Sequence, residues 1–275
     1  MERHRLTMDE EQFLSTLLRE TESIAVRMRG QYTDRPTAVF DLDNTLLIGD
    51  IGEAVLATLL LAGHKCALTW SEYKLLLAHN RPEAYLQAAL ALEGASETTV
   101  KEIARSLLLT TRETITVDDD DVAIPRPHPV MKAFLQELSE WGFRLLVVSA
   151  SNSISVRVTA HDCFGISPKN AIGITSQIEN GIVTPKVSPP IPIWHGKVDA
   201  VKKVLGTTQP LITCGDSALD LPMMQMCDPR GFSVWVGEDE SNWTNVRSQF
   251  LKKSSLLFVP RHSLLQCQQE PVQAG

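Results

Sequence analysis

Ala38-Val39-Phe40-Asp41-Leu42-Asp43-Asn44-Thr45 is the stretch around which the rest of this sequence arranges itself. Thr37 to Phe40 form a short apolar run that stops abruptly at Asp41, as a strand buried on both faces of a parallel sheet does. Residues i and i+2 of an extended chain point the same way, so Asp41 and Asp43 leave the strand end side by side. Two carboxylates so placed repel each other and resist desolvation unless a cation or a shared proton relieves them. The carboxyl ends of parallel strands are also where open α/β sheets take ligands. A turn with two solvated acids and a helix cap is the competing reading, since surface acid pairs are common. An EF-hand calcium loop fails, because Leu46 stands where that loop needs Gly.

Three later stretches repeat the theme. In Leu145-Leu146-Val147-Val148-Ser149-Ala150-Ser151-Asn152 an apolar strand ends in hydroxyls. Ser149 and the Ala150 amide suit an anion at a helix start, although Ser151 or Asn152 there also reads as a plain N-cap. In His195-Gly196-Lys197 a lysine occupies the first turn of a helix, the wrong end of the macrodipole unless an anion is near. In Leu211 to Met224 another apolar strand ends at Gly215-Asp216, with Asp220 four residues on. On a helix those two acids share a face, a repulsion that Mg²⁺ or Lys197 relieves.

Working outward, residues 8–29 carry one apolar stripe of Phe13, Leu14, Leu17, Leu18, Ile24, Ala25 and Met28, which predicts a leading helix laid on a core. Residues 50–126 read as almost wholly helical, in segments 54–62, 70–78, 84–92 and 98–110. The four-acid run Asp118 to Asp121 reads as a solvated turn, and Ile124-Pro125-Arg126-Pro127-His128-Pro129 as a linker or hinge strand. After Pro129 strands and helices alternate, and Asn180-Gly181 marks a hairpin. The fold class is therefore α/β, a Rossmann-like, mostly parallel sheet flanked by helices, with a helical cap inserted after the first strand. The expected divisions are a leading helix in 1–34, a catalytic core in 35–49 and 127–260, the cap in 50–126 and a tail in 261–275.

The 275 residues are 43% hydrophobic and 21% charged, ordinary for a globular protein. A net charge of −7 argues against nucleic acid as the main partner, while leaving room for a small anion in a locally positive pocket. The five cysteines are scattered, with no C-x-x-C and no disulfide framework. Neither a signal peptide nor a membrane span is evident, so a reducing cytoplasm is the expected compartment. Oligomeric state is not legible.

In order, spacing and context the four stretches resemble the motifs of the haloacid dehalogenase superfamily, nearest its phosphoserine-phosphatase-like branch. Phe40-Asp41-Leu42-Asp43-Asn44-Thr45 is similar to the first motif, Val147-Val148-Ser149 to the second, Lys197 to the third, and Gly215-Asp216 through Asp220 to the fourth. The likeness runs from about residue 35 to 237. Ala150-Ser151 replaces the usual Gly-Gly, Leu219 stands where many relatives have Asn, and the Arg-Ala-Met-Gly-Gly cap segment is missing. These departures weaken the case for phosphoserine itself.

The resemblance implies a Mg²⁺-dependent phosphatase acting on a small phosphorylated metabolite. Asp41 is the implied nucleophile and Asp43 the implied acid–base. Mg²⁺ is implied on the Asp41 carboxylate, the Asp43 main-chain carbonyl and Asp216, with Asp220 supporting the metal site and orienting Lys197. Ser149, Ala150 and Lys197 would hold phosphoryl oxygens and Thr45 would brace the loop. Asp43 and Thr45 favour phosphatases over dehalogenases. Asp50, Glu53, Trp70, Tyr73 and Arg81 are candidates for selectivity. Asp50 would suit an amine, as in phosphocholine, phosphoethanolamine or an amino-acid phosphate. The alternatives are a phosphotransferase or mutase of the same fold, and a non-catalytic Mg²⁺-binding interaction protein.

Overall fold

A computed structural model describes residues 6–27, 35–238, 246 and 255–261. Helix α1 (Met8–Arg27) comes first, and its Leu17 and Ile24 are buried. Met28, the last member of the expected stripe, lies outside the described residues, as does the tail beyond 261. Strand β1 (Thr37–Phe40) is buried at every position. Its Ala38 and Phe40 join the large core layer, whereas Val39 enters a second layer with Leu146, Val148, Ala200, Val201 and Met223. That two-sided burial is why the run is continuously apolar.

The chain then makes a two-residue strand β2 (Leu47–Ile48) and four helices, α2 (Ile51–Leu61), α3 (Trp70–His79), α4 (Arg81–Leu90) and α5 (Glu97–Leu109). Each helix start has a capping side chain: Asp50, Thr69 in a capping box with Glu72, Asn80 and Ser96. The stretch is not helical to its end. Strands β3 (Thr114–Val117) and β4 (Asp120–Ala123) form an antiparallel hairpin, because Thr114-Ile115-Thr116-Val117 is β-branched throughout. Asp118 and Asp119 make its turn at φ 48° and 64°, conformations that Asp tolerates. Asp120 instead accepts from Trp70 Nε1 at 3.1 Å and pairs with Lys74 at 3.0 Å. Strand β5 (Arg126–Pro127) returns antiparallel to β2, Leu47 opposite Pro127, so the insert enters and leaves through a two-stranded neck.

Helix α6 (Pro129–Glu140), against which α1 packs, leads to strand β6 (Arg144–Asn152) and helix α7 (Ser153–Phe164). Strands β7 (Ala171–Glu179) and β8 (Ile182–Ser188) flank Asn180-Gly181, both at positive φ, as the hairpin signal requires. Helix α8 (His195–Leu205), strand β9 (Ile212–Gly215), the short helix α9 (Leu221–Met224) and strands β10 (Phe232–Gly237) and β11 (Ser255–Pro260) complete the described chain. The sheet order is β11-β10-β9-β1-β6-β7-β8. All neighbours run parallel except β7 with β8. This is the mostly parallel α/β sheet expected, and it brings the ends of β1, β6 and β9 to one rim. Among the described residues no helix is long and apolar enough to cross a membrane.

Candidate active site

Beyond β1 the backbone turns on itself. The amides of Thr45, Leu46 and Leu47 all donate to Leu42 O, and Asn44 donates to Gly49 O. Asn44 takes φ 59°, a left-handed turn that Asn accepts more readily than most residues. The loop closure holds Asp41 and Asp43 in place with both side chains buried.

Asp41 Oδ1 accepts from Lys197 Nζ at 2.6 Å, and the same ammonium donates to Asp220 Oδ1 at 2.5 Å. Burial raises the Asp41 carboxyl to about 7, against the pull of Lys197 and with a push from Asp220 and Asp43. For Lys197 burial acts downward, but the two carboxylates win and hold it well above the ordinary lysine range. A buried lysine at the start of α8 is thus explained by anions in space rather than along its own helix.

Asp43 is held by three donors. Oδ1 accepts from Ile51 N at 2.8 Å, and Oδ2 from Ser149 Oγ at 2.8 Å and Ser151 Oγ at 2.7 Å. Burial and then the Asp50 charge raise it to about 7, against those three bonds. Ser149 also accepts from Ser151 N at 2.9 Å. The α7 cap is Asn152, whose Oδ1 accepts from Ser155 N, so Ser151 is free to face Asp43.

Asp216 and Asp220 do not share a helical face. The helix here begins only after Asp220, at Leu221, and ends at Met224. Residues 216–220 instead wrap around one carboxylate: Asp220 Oδ2 accepts from Asp216 N, Ser217 N and Ser217 Oγ at 2.9–3.2 Å. A carboxylate that collects local amides competes with the helix for them. Asp216 Oδ1 accepts from Thr45 Oγ1 at 3.3 Å, and its carboxyl is raised first by burial, then by Asp220 and Asp41. One oxygen each from Asp41, Asp216 and Asp220 lies within 4.8 Å of the others, a grouping that suits a divalent cation.

These groups open on a cavity of about 510 Å³. Asp41, Asp43, Ala150, Lys197, Asp216 and Asp220 line it from the sheet side; Asp50, Glu53, Tyr73 and Arg81 line it from the insert. Ser149 and Thr45 sit behind that lining, fully buried. Trp70 is not at the wall; it stacks on Tyr73 and donates to Asp120. Asp50, the α2 cap, is raised to about 7 by burial and then by Glu53. Sequence reading missed Ser151, Tyr85 and Arg261. Arg261 reaches Asp216 Oδ2 at 2.9 Å from just beyond β11. Its local context is only that of a basic residue after an apolar strand, which does not by itself point to a carboxylate partner.

The family described as haloacid dehalogenase-like hydrolase matches residues 38–225. No curated protein matches the chain. Among solved structures, a functionally unknown protein from Anaerococcus prevotii is similar at TM-score 0.64 and 18% identity, over 88% of this chain and 90% of that one. Cytosolic 5'-nucleotidase IIIB bound to cytidine is similar at 0.58 and 15%, over 96% and 95%. A phospho-aspartyl intermediate analogue of phosphoserine phosphatase is similar at 0.53 and 15%, over 85% and 97%. At these identities the likeness is one of fold.

Proposed function

This chain belongs to the haloacid dehalogenase-like hydrolases, and from that premise we propose that it is a Mg²⁺-dependent phosphatase that opens small phosphate monoesters with Asp41. The observation that carries the reading is the convergence of Asp41, Asp216 and Asp220 around shared space, with Lys197 tied to two of them. Buried carboxylates at that spacing call for positive charge, and hard oxygen ligands fit Mg²⁺. Mg²⁺ would be held by the Asp41 and Asp216 carboxylates and the Asp43 carbonyl, and would supply charge against the phosphoryl oxygens. Asp220 has both oxygens engaged by Lys197 and the turn amides, so its part is to orient Lys197 and shape the site.

Asp41 attacks phosphorus and carries the phosphoryl group as an aspartyl phosphate, which divides one displacement into two. Asp43 protonates the departing alkoxide and then takes a proton from water in the second step. Its Oδ2 already accepts two hydroxyls and its Oδ1 one amide, so the transferable proton rides on the remaining Oδ1 site. A carboxyl raised to about 7 by burial is suited to both steps near neutrality. Lys197 and the Ala150 amide steady the phosphoryl oxygens, where most transition-state charge sits. The insert acts as the cap, limiting water over the site. Asp50 and Glu53, beside Tyr73 and Tyr85, support an amine-bearing ester, such as phosphocholine, phosphoethanolamine or an amino-acid phosphate.

Purified protein is expected to hydrolyse p-nitrophenyl phosphate with Mg²⁺ and to stop in EDTA. Asp41→Asn should fold normally and lose turnover. Full activity in chelator would refute the metal role, and an active Asn variant would refute the nucleophile.

A further inference from the structure

The three clustered carboxylates have basic partners from two directions. Lys197 serves Asp41 and Asp220, and Arg261 serves Asp216. Arg261 is fixed at its backbone, where its N–H donates to Gly237 O and prolongs the β10–β11 ladder. The carbonyl of the preceding Pro260 accepts from His128 Nε2 at 2.9 Å, which ties the strand end to the start of α6. From this anchored position the guanidinium enters the cavity wall with only 15% of the side chain exposed. Nη2 meets Asp216 and Nη1 meets Glu238 Oε1, both at 2.9 Å. Nε is buried, and nothing among the described residues accepts from it.

That arrangement has a consequence for any divalent cation on Asp216. The cation and the guanidinium are like charges drawn to one carboxylate, so the ion pair must loosen as the cation is taken up. An arginine loosened there has five donors in a planar fork and a largely desolvated position on the wall of the cavity that Asp41 and Lys197 also line, the geometry that suits an oxyanion. We propose that Arg261 is an exchangeable counter-ion, pairing Asp216 in the metal-free site and turning to the substrate's anionic group once Asp216 holds a divalent cation. This inference rests on the metal reading given above. It assigns to the end of β11 a share in recognising the phosphate ester and couples cation binding to anion binding through one side chain.

Two titrations without turnover test it. In calorimetry of Mg²⁺ into substrate-free protein, Arg261→Gln is expected to bind the cation about tenfold more tightly than the parent, since a competing charge is gone. With inorganic phosphate as probe at saturating Mg²⁺, the same variant should bind about tenfold more weakly, having lost a charge-assisted donor pair. Arg261→Lys keeps the competing charge without the fork, so it should bind Mg²⁺ like the parent and phosphate more weakly. It also decides the matter if the Gln variant melts early in EDTA. Unchanged affinities in either variant's decisive titration, or weaker Mg²⁺ binding by the Gln variant, would overturn the exchange while leaving the phosphatase reading intact. A parent protein that binds no Mg²⁺ at all would remove both.

Discussion

Lys197 Nζ lies 2.6 Å from Asp41 Oδ1, with the side chains of both residues almost wholly withdrawn from solvent. The ammonium also serves Asp220, so one charge holds two carboxylates that would otherwise face each other across a desolvated gap. Removing one member of a buried ionic group leaves the rest uncompensated, which typically costs about 3–5 kcal/mol. Lys197→Met should therefore lose stability of about that size in urea melts with EDTA, and recover part of it in Mg²⁺. Its turnover should fall by roughly 10²–10³, the scale seen when a transition-state charge partner is lost. A Met variant as stable as the parent in EDTA would mean that the three groups do not interact as their distances imply.

Gly52 and Ser151 should act as one unit. A Cβ at Gly52 would come within 2.5 Å of Ser151 Oγ, which is the hydroxyl that donates to Asp43 Oδ2. Gly52→Ala therefore pushes the donor off Asp43, and Ser151→Ala deletes it. Each is expected to lower kcat by about tenfold, the worth of a hydrogen bond to a charged group. The double variant should be no slower than the worse single, since the second change has nothing left to remove. Additive losses in steady-state kinetics would separate the two residues.

Asp50 offers a pH-dependent test that avoids the chemistry. Burial raises its carboxyl from 3.8 to about 7, so the folded state binds a proton more readily than the unfolded chain. The carboxylate's penalty is absent below the unfolded pKa, grows as pH rises from about 4, and is full above about 7. Asn has no charge and retains a side-chain oxygen to accept from Glu53 N, so it keeps the α2 cap. Asp50→Asn should raise the melting temperature in EDTA at pH 8, with the gain shrinking toward zero near pH 4. A gain that is equal at both ends would show that charge is not its source. If Asp50 meets an amine, the same variant should hydrolyse phosphoethanolamine more slowly than p-nitrophenyl phosphate, stability being gained where function is lost.

The sheet and much of its rim were readable because they follow from local patterns. Thr37 to Phe40 are apolar without alternation, and the strand is buried on both faces; Asn180-Gly181 demands left-handed φ at both positions, and the hairpin turns there. Asp41, Asp43, Lys197, Asp216 and Asp220 all come together, because each follows a strand end or a helix start whose place is set by the topology. What was not legible depended on side-chain contacts, two of them far apart in sequence and one within a single turn. Ser151 reads as a cap until Asn152 is seen to do that work, 108 positions from the Asp43 that Ser151 meets. The 216–220 turn reads as helix until the Asp220 carboxylate is seen collecting its own upstream amides. Arg261 lies 45 residues beyond Asp216, and nothing local to either residue announces their pairing.

The neck between insert and sheet depends on Arg126 more than on its two paired residues. Its guanidinium donates to Leu107 O at 3.0 Å and to Thr110 O and Arg112 O at 2.6 Å each, gathering carbonyls at and just past the end of α5 that no helical amide can reach. Arg126 itself pairs with Ile48 across the neck, so one side chain fastens the last helix of the insert to its exit strand. Arg126→Met keeps the apolar stem and deletes the donors. The expected cost is about 1–3 kcal/mol, that of leaving partly buried carbonyls without a charged partner. The loss should be local: amide hydrogen exchange should quicken around residues 105–127 while β1, β6 and β9 keep their protection. If the insert closes over the substrate, a looser neck should raise KM for the ester more than it lowers kcat, because the chemical groups on the rim are untouched. Exchange that quickens through the sheet as well would show that the insert and the sheet open as one cooperative unit, and that the neck is no hinge.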